Sequence, residues 1–354
     1  SVKKTFSSEL GFQADVYERQ VEKYFDDLAM NATALAESEV AALEESFAEN
    51  GLSSADLNGS PENIKLAEIA LFDKLRFEAN KTHCSGAFVI LNAAANAQAD
   101  ENLRAGLYFQ RATLDATDRT LLLFRGLSDV GKDGEIMPHR KWALQFDLSL
   151  IPDFNAYAAK KYETCESSIF LTPVFCLNGT SERVSLFVVQ MLNSRGEVYG
   201  YCGFEISANY FKDYFAQPSQ LKRLNFSFTE ETHGKFSVTD GFCAGLISSY
   251  YLPPEGSAEL KSTGNGLYRE YRAYRGTAKN KNRRKELLAR RAPPQRRIRR
   301  TNSGKSVKNG VGRGFGNNFD CGGDSVFLKK IYLAAEKGLG TYTRKRAQRE
   351  EFLF

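Results

Sequence analysis

The chain has 354 residues, 42% of them hydrophobic, the composition of a globular protein with a sizeable core in one large domain or two to three smaller ones. Its net charge of +5 hides two compositions. Residues 1–268 carry 24 Lys+Arg against 36 Asp+Glu, a net of −12, and residues 269–354 carry 24 against 7, a net of +17. With three histidines and six cysteines, no two spaced CxxC, a zinc site is excluded as an expectation, and no apolar run reaches the length of a membrane span.

From the N-terminus, residues 7–48 contain no proline and almost no glycine. Leu10, Ala14, Tyr17, Val21, Tyr24, Leu28, Asn31 and Leu35 recur alternately at four and three, a heptad-type stripe on one very long helix. The stripe predicts a helix laid along its own domain, a homodimer stalk, or both. GLSSADLNGSPEN (51–63) reads as a loop, with Ser60 as cap and Pro61 in the first turn of a second helix running to about Asn80. Ile64, Ala67, Leu71 and Leu75 share one face of that helix. His83 and Cys84 are adjacent, a poor geometry for joint ligation, and mark a strand start; the cysteines read as scattered thiols.

After Cys84 the pattern turns to strands: SGAFVILNA, AGLYFQRA and TLLLFRG, then a short helix or irregular piece in IPDFNAYAAKKYE, then SSIFLTPVF. ERVSLFVVQML and VYGYCGFEIS, joined by NSRGE, read as an antiparallel hairpin, and ANYFKDYFAQ as a helix. Residues 221–276 hold shorter predicted strands of a second, incomplete unit, and patterning stops after about Gly276. The chain begins at Ser1 without a methionine or a visible leader, and reads as a fragment.

The stretch from Ser194 through RGEVYGYCGFEIS to Ala208 resembles the closing hairpin of double-Cache extracytoplasmic sensor domains of bacterial membrane receptors, in which a turn leads into a strand of the form Y-G-x-x-G-x-D-I-S. The order of elements agrees over about residues 1–275. The resemblance implies an α+β fold: a long N-terminal helix (1–50), a PAS-like antiparallel sheet module that is the membrane-distal ligand-binding part (51–220), and a truncated membrane-proximal module (221–276). The basic tail (277–354) is then expected to be disordered. It also implies a small-molecule ligand, a membrane anchor in the full-length receptor, no cofactor, and a sheet that separates the pocket from the long helix.

Within that resemblance, His139-Arg140-Lys141-Trp142 matters most. Arg140 and Trp142, two residues apart in an extended segment, match an R-x-W pair that amino-acid-binding Cache members use; a guanidinium and an indole together hold a carboxylate and an apolar body. Those members follow the Trp with Tyr, where this chain has Ala143, and end their hairpin strand in an Asp, where this chain has Glu205. Tyr108 and Asp147 are further ligand-binding candidates. Taken singly, Arg140 reads as a surface cation, Trp142 as a core aromatic, Glu205 as a solvated strand end, and Tyr108 and Asp147 as structural. The joint match is what points to an amino acid, amine or small carboxylate.

Catalytic motifs fail on inspection. NSGKS (302–306) lacks the glycine a phosphate loop requires, Arg299 standing there instead, and no G-x-S-x-G or H-E-x-x-H occurs, so the chain reads as a non-enzyme with no metal site. The basic run Lys279–Arg300 supports an alternative, an arm that binds nucleic acid or an anionic membrane. Against nucleic acid stand the absence of interleaved aromatics over 276–314 and the helix-breaking Pro293-Pro294. A reading-frame shift near Gly276 would produce the same abrupt change in composition, and 277–327 is expected to be poorly ordered.

Overall fold

The computed structural model describes residues 2–96, 100–115 and 117–215, and beyond them 224–228, 231–232, 235–237, 241–245, 259–262, 268–270 and 331–335. Over 2–15, at 17–18, and after 223 other than at 241–242, the description is of the backbone alone.

The proline-free N-terminal segment forms one helix, α1 (Val2–Asn50). At 1.5 Å per residue it is about 70 Å long. It ends where Gly51 takes φ 65° and the Leu52 amide turns back to the Phe47 carbonyl at 2.9 Å, a left-handed stop that a residue without Cβ adopts freely. α2 (Pro61–Lys81) starts as its sequence predicts: Ser60 caps it by accepting from the Asn63 amide, and Pro61 sits in the first turn. Its face Ile64, Ala67, Leu71 and Leu75 is buried.

The ten strands that follow in chain order are β1 (Gly86–Leu91), β2 (Leu103–Arg104), β3 (Gly106–Arg111), β4 (Leu121–Arg125), β5 (Met137–Ala143), β6 (Phe146–Asp147), β7 (Phe170–Leu171), β8 (Phe175–Cys176), β9 (Arg183–Leu192) and β10 (Val198–Ser207). Short helices α3 (Ser128–Asp133), α4 (Phe154–Ala158) and α5 (Ala208–Tyr214) punctuate them. Eight strands form one sheet in the order β5-β4-β3-β1-β10-β9-β7, with β8 also on β9, and β2 pairs with β6 apart from it. Among the described pairings, only β4 and β5 run parallel. β1 lies at the centre, flanked by its successor β3 and by the last strand of the β9–β10 hairpin, whose five-residue turn is the predicted NSRGE. The architecture is the expected α+β one, a long N-terminal helix with an antiparallel-rich sheet.

Strand alternation makes two cores. On one face, Ala87, Val89 and Leu91 of β1 and Phe187 and Val189 of β9 meet Val21, Tyr24, Leu28 and Leu35 of α1 and the buried face of α2. The described part of the heptad-type stripe is therefore spent against the chain's own sheet, while Leu10, Ala14 and Tyr17 lie outside the side chains described. On the other face, Phe88, Ile90, Tyr108, Phe124, Leu186, Val188 and Tyr201 are covered by Phe146, Leu148, Ile151, Phe154, Tyr157 and Leu177. SSIFLTPVF gives two two-residue strands, β7 and β8, instead of one, because Pro173 between them has no amide to donate to a ladder.

Further strands among the described residues are β11 (Leu224–Phe228), β12 (Glu231–Thr232), β13 (Lys235–Ser237), β14 (Phe242–Gly245), β15 (Glu259–Ser262), β16 (Tyr268–Glu270) and β17 (Ile331–Ala335). They pair as β14-β11-β17 and as β12-β13-β15-β16. β17 arises inside the stretch read from sequence as tail; the basic run 279–300 and the expected disorder of 277–327 lie outside the described residues. Phe211 of α5 stacks on Phe242 of β14 at 5.1 Å.

Candidate functional site

On the sheet face turned away from α1, the register Phe88↔Tyr108 and Phe88↔Gly203 sets β3 and β10 side by side across β1. A cavity lies between this face and the cover. Its aromatic walls are Tyr108, Phe124, Phe146 and Phe175, and Arg125 and Asp147 are its charged lining residues. The free volume is about 30 Å³, room for a water or two. A ligand as large as an amino acid enters only if the cover moves outward.

The cover is held by short pairings. β6 pairs with β2 through Leu103↔Asp147, and the Leu148 amide donates to the Asn102 carbonyl at 2.9 Å. Asp147 caps the single turn Leu148–Leu150, its Oδ1 accepting from the Ser149 amide at 3.0 Å and from the Ser149 hydroxyl at 2.5 Å.

Tyr108 ties the cavity to the sheet. Its ring stacks on Phe146 with centroids 5.9 Å apart and meets Phe124 edge-on at 5.3 Å. Its hydroxyl donates to Oε2 of Glu205. Glu205 is 1% exposed. Because Gly86 pairs with both Glu205 and Gln110, the carboxylate also receives the Gln110 amide at 2.7 Å, and its Oε1 takes the Ser85 hydroxyl at 2.6 Å. Burial pushes the Glu205 carboxyl up, and the bonds from Ser85, Tyr108 and Gln110 pull against it without cancelling the rise. Replacing Tyr108 by Phe removes one of the three side-chain donors. The expected cost is about 1–2 kcal/mol in chemical denaturation at neutral pH, with the Glu205 carboxyl rising further. A Y108F protein as stable as the parent would mean that the hydroxyl does not hold that carboxylate.

Arg125, at the end of β4, is 6% exposed and lies with its guanidinium carbon 3.9 Å from the Phe124 ring centroid. One of its nitrogens donates to the carbonyls of Phe124 at 2.7 Å and Lys141 at 3.2 Å.

The five residues singled out from sequence are thus sorted by the structure. Tyr108 and Asp147 line the cavity, and Glu205 stands behind Tyr108, fully engaged. Arg140 and Trp142 sit exposed on the edge strand β5 and outside the lining; Trp142 is 38% exposed and its Nε1 donates to the Gly126 carbonyl at 2.9 Å. β5 still reaches the site through His139, whose ring meets Phe124 at 5.3 Å. Sequence reasoning missed Arg125 and the other aromatic walls, Phe124, Phe146 and Phe175. The signal available was a lone cation closing the apolar run TLLLFR.

No protein-family model matches the chain, and no curated protein matches it. Among solved structures, it is similar to a methyl-accepting chemotaxis protein X, at 12% identity over 65% of this chain and 74% of that one, with a TM-score of 0.38. It is similar to the periplasmic sensory domain of the Campylobacter jejuni chemoreceptor Tlp1, at 12% identity over 64% and 70%, TM-score 0.38. It is also similar to the sensory domain of the Campylobacter jejuni chemoreceptor Tlp3 with isoleucine bound, at 14% identity over 59% and 69%, TM-score 0.29. The last two are described as sensory domains of chemoreceptors.

Proposed function

We propose that the chain is the extracytoplasmic small-molecule sensing part of a bacterial signal-transduction receptor, a binding protein and not an enzyme, tethered to the cell membrane in its full-length form. Residues 51–220 are the ligand-binding module and 221–276 part of a membrane-proximal one. The observation that supports this reading is the cavity itself: an aromatic chamber on one face of the sheet, partly roofed by a cover held on short pairings, with the long helix on the opposite face. The ligand is an amino acid, amine or small carboxylate. Tyr108 and Asp147 meet it in the chamber, Arg140 and Trp142 meet it at the rim, and Glu205 responds through Tyr108.

The path outward is short. On β9, Leu186 lines the cavity and its neighbour Phe187 packs on Phe25 of α1 with ring centroids 6.3 Å apart. A strand shifted by cover closure therefore moves the surface on which α1 rests, and a helix paired with a second copy would carry that shift across a membrane. A thermal-shift screen of amino acids, amines and small carboxylates on the full chain tests the reading. At least one compound is expected to raise Tm by about 5–10 °C at a hundredfold excess over its Kd. A silent screen would remove the sensing role. An Arg140→Ala protein that kept the whole shift would remove Arg140 from the site.

A further inference from the structure

We infer that Arg125 is the anion seat of this cavity, so that the ligand is held by a carboxylate and needs no ammonium group. The inference rests on the sensing reading above and narrows it.

Arg125 is a buried cation without a counter-ion. Among the described residues no carboxylate lies within 4 Å of it, and its hydrogen bonds go to two backbone carbonyls through one nitrogen. A guanidinium largely withdrawn from water, with no carboxylate beside it, gains from an anion that comes to it. It also lines the cavity on that face, a space into which an anion could come. Its fork of donors suits a carboxylate, and the rings of Tyr108, Phe124 and Phe146 suit the apolar body behind one.

Two further cations stand close by. Arg140 and Lys141 follow His139 on β5, next to the strand that carries Arg125. The acidic groups nearby offer an ammonium little. Glu205 is outside the lining, behind Tyr108, with three side-chain donors on its oxygens. Asp147 reaches the cavity but spends Oδ1 on the Ser149 amide and hydroxyl. The small free volume favours a short acid.

The test separates head group from body. Two matched triplets are offered to the full chain in thermal shift and calorimetry: butyrate, propylamine and 2-aminobutyrate; 4-methylpentanoate, 3-methylbutylamine and leucine. In at least one triplet the acid is expected to raise Tm by about 5–10 °C near saturation and its amine to leave Tm unchanged. Arg125→Met should keep or raise the ligand-free Tm and lose the shift; Arg125→Lys should keep part of it. An amine that matches or exceeds its acid overturns the anion seat while leaving the sensing role standing, as does a folded R125M protein with an undiminished response to acid. Silence from both triplets alongside a hit from the wider screen also overturns the seat, and silence from everything overturns both readings.

Discussion

Gly203→Ala is expected to destabilise the chain by about 3 kcal/mol or more and to lower Tm by at least about 6 °C. A Cβ at this position would fall far inside van der Waals contact distance of the Phe187 carbonyl oxygen on the neighbouring strand β9. The obstacle is backbone, held by the longest pairing in the sheet, so no side chain can rotate away to relieve it. Gly200 has the same relation to the Ile90 carbonyl of β1 on the other side. The two glycines of YGYCGFEIS are thus contact points at which β10 is pressed between both of its neighbours. They are the same two glycines that carried the resemblance in sequence, and the structure supplies the physical reason for them. Differential scanning calorimetry of the full chain reads the effect. A G203A protein that melts with the parent would show that the β9–β10 register is not the one described.

The sheet was legible because its signals are local. The short apolar β-rich runs GAFVIL and GLYFQR, the Ser60-Pro61 helix start and the NSRGE turn each declare themselves within a few residues. The long helix was legible from its spacing, but its destination was not: a stripe of Val21, Tyr24, Leu28 and Leu35 fits a partner helix and a sheet equally well, and here the sheet takes it. The site was legible only in part. Glu205 stood out as a carboxylate at the end of a strand, yet its engagement by Ser85, Tyr108 and Gln110 follows from the register of three strands, which no local pattern encodes. Arg140 and Trp142 share an extended segment, as their spacing required, but their strand is an edge strand, and exposure at an edge is a tertiary fact. Arg125 was passed over because one cation at the end of an apolar run reads as a strand terminus until the cover is seen to close over it.

Stability should fall as pH rises from about 5 to about 8, the reverse of ordinary acid denaturation. The cause is a set of carboxyls held in the apolar interior. Glu68 of α2 is pushed up to about 8 by burial, against the pull of the Leu127 and Gly106 amides. Glu39 of α1 is 0% exposed, neither of its oxygens has a partner among the described residues, and burial drives it well above the usual carboxylate range despite Lys74, with Glu78 adding to the rise. Glu205 is raised as well. A carboxyl whose folded pKa is raised keeps its proton in the native state while the unfolded chain loses it. Its contribution is complete below about pH 4.5 and is lost as pH climbs through the folded value, which for Glu68 alone is on the order of 4 kcal/mol by pH 8. Glu39→Met removes one such group, keeps the volume and keeps helix propensity. It is expected to raise stability by about 1–3 kcal/mol at pH 8, to do less at pH 5, and to flatten the slope between them. Urea unfolding of both proteins at pH 5, 6.5 and 8 measures all three effects. A parent protein that gains stability toward pH 8, or an E39M protein weakened there, would mean that the carboxyl at the α1–sheet interface has a partner that compensates its burial.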